Sequence, residues 1–337
     1  MTLLNGSKRL VLALSMCFVA AAGAAEKPHA APGMDVYAKP GQLVDVGKGR
    51  HLNLRCSGKG SPVVLLESGN NADSMAWFKV QPEIARFTRV CAYDRAGTGF
   101  SDGGPLPRDL DANVEDLSAL IHAAHIATPA ILVGHSYGTN VVRRFADKHE
   151  AEVAALVLLD PPPQNVGEFS PASEKADDEQ RLAMLAKVRQ CQRAAEEGKL
   201  EAPPPEFSEC LRPPNPEFSA ALNAAIHANK IRPAFWETII SISQANGELY
   251  KQPVAASESH GAIALLILQP DTPFADAPPE IQQPMEQARQ KTQKAIAATS
   301  TRGRIIPVAH SSHDVQVDRP DAVVAAVRSA MGMSARQ

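Results

Sequence analysis

The chain has 337 residues, 44% hydrophobic and 21% charged, with 21 glycines and 27 prolines. These proportions exclude a disordered or collagen-like chain and leave enough length for a large core, as one big domain or two smaller ones. The formal net charge of -3 argues against a nucleic-acid binder, which needs a basic excess to neutralise phosphates.

At the start of the chain, Lys8 and Arg9 precede an apolar stretch from Leu10 to Ala22, which closes on Gly23, Ala24 and Ala25. This reads as a secretory signal peptide over residues 1–25, and the apolar run is shorter than the roughly 20 residues of a membrane anchor. The expected location is the periplasm or the medium. Met16 is bulky where a lipoprotein signal wants a small residue before Cys17, so lipidation is not expected. Removing residues 1–25 leaves 32 basic against 37 acidic residues, a net charge of -5.

Four cysteines remain after that cut, and an oxidising compartment permits them to pair. Cys191 and Cys210 flank a polar, proline-containing loop, and closing that loop is the natural pairing. Cys56 and Cys91 lie in apolar, strand-like segments and read as buried free thiols packed as small hydrophobes. No CxxC spacing occurs, and neither a metal nor a cofactor is expected.

Following a Pro- and Gly-bearing lead (26–41), HLNLRCSG and SPVVLLESGNN read as two strands around a Gly-Lys-Gly-Ser-Pro turn. The second is almost continuously apolar, as in a parallel strand covered on both faces. A helical stretch AWFKVQPEIARF, a strand TRVCAYD and a glycine-rich loop RAGTGFSDGGP come next. LDANVEDLSALIHAAHI has helical spacing with Asp111 placed to cap it. PAILVGHS is a strand, TNVVRRFADKH a helix, and AALVLLDPPP a further strand. Alternation of this kind predicts an α/β protein with a doubly wound, mainly parallel sheet.

Residues 162–257 break the alternation: no strand run occurs, and three helical pieces are punctuated by PPP and PPNP. They are expected to form a helical lid inserted in a core made of residues 26–161 and 258–337. The apolar residues Phe235, Trp236 and Ile239 are expected in the lid's own core. The alternation resumes with GAIALLILQPDTP, a long helix, GRIIPVA and a terminal helix from Arg319.

Ser136 sits in Gly134-His135-Ser136-Tyr137-Gly138, where a strand passes into a helix. A sharp turn there lifts the hydroxyl off the sheet edge, and the helix start directs N–H groups at developing negative charge. A serine needs a histidine base and a carboxylate behind it. The base should follow the last strand, where His313 is preferred over His310, with Asp314 beside it as a capping or orienting residue. The acid should follow the penultimate strand, which favours Asp271; Asp160, at the carboxyl end of the preceding strand, is the rival, and Asp276 a further option. The oxyanion donors are expected to be the N–H groups of Tyr137 and of Asn70, after the strand VVLLESGNN. The loop at Arg95, Gly97 and Gly99 lacks a P-loop lysine and a dinucleotide fingerprint.

LESGNN, TRVCAYDRAGTGFSD, LVGHSYGTN, LVLLDP and HSSHDVQVDRPDAV, in that order, resemble the α/β-hydrolase family, in particular its prolyl-aminopeptidase and esterase-like members. The resemblance runs from about residue 42 to 332, outside the insertion. It implies a triad of Ser136, His313 and an aspartate, with Asn70 and Tyr137 as oxyanion donors. It also implies that the Arg95 loop is structural, with Arg95 and Asp94 in an internal ion pair. Three departures stand out: Thr139 where a glycine is usual, Ser312 where a glycine precedes the histidine, and an acid loop QPDTP without the common Gly-x-x-Asp form. The expected function is an exported serine hydrolase acting on a small-molecule ester or acyl substrate. An aminopeptidase or amidase with the same parts, or a non-catalytic ligand-binding homologue, are the alternatives.

Overall fold

The computed structural model describes residues 33–211, 213–275 and 279–334; the expected signal peptide, Cys17 and Asp276 lie outside them. The elements in chain order are β1 (Gln42–Asp45), β2 (His51–Ser57), β3 (Val64–Glu67), α1 (Gln81–Ile84), β4 (Val90–Tyr93), α2 (Leu110–Ala123), β5 (Ala130–His135), α3 (Tyr137–Lys148) and β6 (Val153–Leu159). Then follow α4 (Pro171–Glu196), α5 (Ala220–Lys230), α6 (Pro233–Leu249), β7 (Ala264–Pro270), α7 (Pro279–Ala298), β8 (Gly303–Val308), α8 (Val315–Asp318) and α9 (Pro320–Ser334).

Eight strands form one sheet in the order β1-β2-β4-β3-β5-β6-β7-β8. The β1/β2 and β2/β4 pairs are antiparallel and every later pair is parallel. β3, β4, β5 and β6 are buried along their whole length, because Val, Leu and Ile on both faces meet helices on both sides. One face packs on Leu117 and Leu120 of α2 and on Val141 and Phe145 of α3. The other packs on Trp77, Ile84 and, from α9, Val323 and Val327.

Several local expectations change. β1 is a strand just after the lead, in a stretch for which no element was expected; only Val44 of its four residues is buried, so it shows little apolar signal. AWFKVQPEIARF holds one helical turn, α1, after a short 3-10 turn at Ser74–Trp77, and not a full helix. The N-cap of α2 is Asp109, whose carboxylate accepts the Ala112 N–H at 2.9 Å. Asp111 instead binds Arg144 and Lys148, each at 2.9 Å.

Both cysteine pairs form disulfides. The reading of Cys56 and Cys91 as free thiols is therefore corrected: they face each other in the antiparallel β2/β4 ladder, with Cα atoms 4.0 Å apart. β2 runs past the end of β1 here, so Cys56 is exposed and not a core residue. Between β6 and β7 the described residues contain helices and no strand. α4 and α6 pack around Phe235, Trp236 and Ile239, with Cys191–Cys210 in the same cluster.

Candidate active site

Ser136 lies between β5 and α3 with φ 51°, a left-handed conformation that a non-glycine residue adopts only when its surroundings dictate it. The turn is tied by the Ser136 N–H to the Leu159 carbonyl at 3.0 Å. Gly138 is required: a Cβ there would stand 2.6 Å from the Ser68 carbonyl. Thr139, where a glycine is usual, is buried and donates its hydroxyl to the Ser136 carbonyl at 2.7 Å, so its side chain reinforces the turn.

Behind the turn, His313 Nδ1–H donates to Asp160 at 2.7 Å. Asp160 closes β6, next to the strand carrying Ser136, and its other oxygen accepts Arg289 and Gln293 at 3.0 Å each. Asp271, the favoured acid, does not reach His313. It lies one strand further out, after β7, and its two oxygens accept the N–H groups of His310 and Ser311 at 2.9 and 3.0 Å. Those two bonds hold its carboxyl below the ordinary range. The structure thus reverses the order of preference: Asp160 is the histidine's partner, and Asp271 shapes the loop that carries it. Position relative to Ser136 decides this, and strand counting along the chain does not reveal it.

Burial works to lower the His313 pKa, but the hydrogen bond and charge of Asp160, helped by Asp314, leave it raised above the ordinary imidazole value. His310 is exposed and lies outside the cavity that Ser136 and His313 share. His135, next to Ser136, is buried, and burial followed by the nearby His313 charge pulls it down to about 4. It is therefore neutral at pH 7, and its Nε2–H donates to the His313 carbonyl at 3.0 Å. Sequence reasoning passed over His135, Arg289 and Gln293, since nothing in their local pattern reveals a partner far along the chain.

Asn70, Ser136, Asp160, Tyr250, Phe274 and His313 line one cavity of about 250 Å³. Ser136 Oγ makes no hydrogen bond among the described residues; such bonds tighten when substrate is bound. The N–H groups of Asn70 and Tyr137 likewise have no acceptor among the described residues. Tyr137 N–H belongs to the first turn of α3, where helix geometry leaves donors free. A second cavity of about 450 Å³ shares Asn70, Pro162, Pro163, Asn246 and Tyr250 with the first and runs along α4 and α6. It carries Glu174, Asp177 and Asp178 against Arg181 and Lys251, and both cations bind Asp178, each at 2.8 Å. The Asp94–Arg95 ion pair expected in the loop after β4 is absent; Arg95 binds Glu67, and Asp94 accepts Asn53, Ser74 N–H and Phe100 N–H. No group of three or more metal-binding side chains occurs among the described residues, and no described helix is long and apolar enough to cross a membrane.

A strained serine between strand and helix, a histidine held by a carboxylate and two free N–H groups define the class: a hydrolase-type α/β scaffold. The chain belongs to the Alpha/beta hydrolase family, whose sequence pattern it matches over residues 63–326. Among similar curated proteins, the 2-hydroxymuconate semialdehyde hydrolase of Pseudomonas sp. (strain CF600) is 33% identical over 120 residues, 34% of this chain and 41% of that protein. The 2-hydroxy-6-oxo-2,4-heptadienoate hydrolase of Pseudomonas putida is 34% identical over 131 residues, 37% of this chain and 46% of that protein. The matches thus span less than half of either relative. An esterase of Thermogutta terrifontis has the same fold, with TM-score 0.56, 20% identity and coverage of 88% of this chain and 99% of that one. A putative lipase of Acinetobacter baumannii is similar at TM-score 0.59 and 15% identity, over 90% and 95% of the two chains.

Proposed function

We propose that the protein is an exported serine hydrolase that cleaves a small carboxylic ester or related acyl compound through an acyl-enzyme. The observation that carries this reading is the His313–Asp160 hydrogen bond of 2.7 Å at a cavity that also holds Ser136. His313 Nε2 takes the Ser136 proton as Oγ bonds to the acyl carbon, and the N–H groups of Asn70 and Tyr137 hold the oxyanion. As the tetrahedral intermediate collapses, the proton passes from His313 to the leaving alkoxide, and an alcohol departs. A water that gives its proton to His313 then attacks the acyl-enzyme, releasing the acid and restoring Ser136. Asp160 keeps Nδ1 protonated and steadies the imidazolium formed at each step. Export rests on the sequence of residues 1–25, and residues 162–257 serve as the lid over the site. The amidase or aminopeptidase alternative uses the same groups, with an amine leaving.

A second reading, a hydrolase of an anionic 2-hydroxy-6-oxo acid, is favoured by the names of the two pseudomonad relatives. The adjoining cavity speaks against it, since the two cations that line it are committed to Asp178. A fluorophosphonate should label the protein and lose its target in Ser136→Ala, and p-nitrophenyl acyl esters should turn over faster than the dienoate. A folded protein that takes no label would refute the serine hydrolase reading; faster turnover of the dienoate would favour the second.

A further inference from the structure

We infer that Arg95 is the positioning residue of the oxyanion hole, setting the Gly69–Asn70 peptide so that the Asn70 N–H faces the Ser136 cavity. This rests on the serine hydrolase reading and adds to it the group that holds the second donor in place. The Arg95 side chain is 3% exposed and reaches no substrate cavity. Its guanidinium donates through Nη2 to the Gly69 carbonyl and through Nη1 to the Ser68 carbonyl, the latter at 2.6 Å. A trans peptide is planar, so its C=O and N–H point in opposite directions. With the Gly69 oxygen anchored on Arg95, the Asn70 N–H of the same peptide is turned away from Arg95. Gly69 itself packs beside the nucleophile, since a Cβ on it would stand 2.9 Å from His135 Nδ1 and 3.4 Å from the Ser136 Cβ, and Asn70 lines the Ser136 cavity.

Arg95 is in turn fixed from behind. Glu67, the last residue of β3, accepts Arg95 Nη1 on one oxygen and the Tyr93 hydroxyl on the other. Burial drives the Glu67 carboxyl up against the opposing pull of Arg95 and Tyr93. The guanidinium also lies 5.5 Å from the centre of the Tyr137 ring, so one cation meets Tyr137 and, through the Gly69 carbonyl, the peptide that carries the Asn70 N–H. The Gly69 carbonyl also accepts the Ala72 N–H at 3.4 Å, a longer bond that leaves Arg95 as the nearer of its two donors. The planar fork of arginine can take two successive carbonyls at once, whereas the point charge of lysine cannot hold both.

The test compares wild type with Arg95→Lys and Arg95→Gln, each checked for folding by its thermal unfolding curve. We read kcat and KM for an acyl ester and the inhibition constant of an alkylboronic acid, which bonds to Ser136 as a tetrahedral anion. Loss of one oxyanion donor lowers kcat by about 100- to 1,000-fold, so both variants should fall in that direction with KM little changed. Boronate affinity should weaken by the same factor, which a merely structural ion pair would not produce. Lysine keeps the charge against Glu67, so Arg95→Lys carries the test if Arg95→Gln does not fold. Retention of kcat within about threefold in a folded variant, or a loss seen only in KM or in boronate-independent stability, overturns the inference. Failure of wild type itself to take a fluorophosphonate would instead overturn the underlying hydrolase reading, and the inference with it.

Discussion

Replacing Asp160 by asparagine tests the site most sharply, because the surrounding donors dictate how the amide must sit. Arg289 and Gln293 both donate to one Asp160 oxygen, at 3.0 Å, and His313 Nδ1 donates to the other, at 2.7 Å. An asparagine has one carbonyl oxygen, and two donors hold it on the Arg289 side. Its NH₂ then faces His313 Nδ1, which must become an acceptor, so the proton moves to Nε2. In that tautomer His313 cannot take the Ser136 proton. The wrong tautomer costs about 1,000- to 10,000-fold in kcat, or about 4 to 5.5 kcal/mol of barrier. Arg289 keeps Glu286 as a partner at 2.8 Å, so folding should survive. Asp271→Asn weakens an exposed clamp on His310 and Ser311 and should leave kcat within about tenfold. The assay is steady-state hydrolysis of a chromogenic ester, with circular dichroism to show both variants folded. If Asp160→Asn keeps kcat within about tenfold and Asp271→Asn loses it, the assignment of Asp160 is wrong.

Two further outcomes follow from the same geometry. His313 must be neutral to act as a base and its pKa is raised by Asp160, so kcat/KM should climb with pH through a value above 6.5; in Asp160→Asn burial dominates and the limb should move to lower pH. The same raised value means that His313 contributes stability fully below its unfolded pKa and loses it as pH rises through the folded one, which urea midpoints against pH would show. The disulfides close loops with separations of 35 and 19 residues, worth about 3 to 4 kcal/mol each, so Cys191→Ala/Cys210→Ala should lower stability by about 3 kcal/mol while sparing kcat. Equal urea midpoints with and without reductant would contradict this.

The parts of the site that were legible in the sequence are the parts built locally. Ser136 declares itself because the apolar run of β5, two glycines and the start of α3 all fall within a few residues of it. The mainly parallel sheet is legible for a similar reason: strands buried on both faces are apolar throughout. What was misread depends on neighbours in space. Cys56 and Cys91 face each other only through the β2/β4 register, and a one-residue slip would turn them to opposite faces. Asp160 and Asp271 both end apolar strands beside prolines, and their patterns are nearly the same. What separates them is that β6 lies beside β5, whereas β7 lies beside the strand whose exit loop needs Asp271 as a clamp.

The departures from the family pattern argue in the same direction. Thr139 replaces a glycine without opening the turn, because its hydroxyl has an acceptor in the Ser136 carbonyl, 2.7 Å away. Ser312 replaces another before His313, and both its N–H and its hydroxyl bind Asp318, at 2.8 and 2.6 Å. The histidine loop is therefore held from three sides: by Asp318 at Ser312, by Asp271 at His310 and Ser311, and by His135 at the His313 carbonyl. A loop held at each successive residue does not need glycine to reach its conformation; it needs acceptors and donors at fixed places. That is why the aspartate expected to serve the chemistry is found serving the backbone, and why the one that meets His313 comes from the strand next to Ser136.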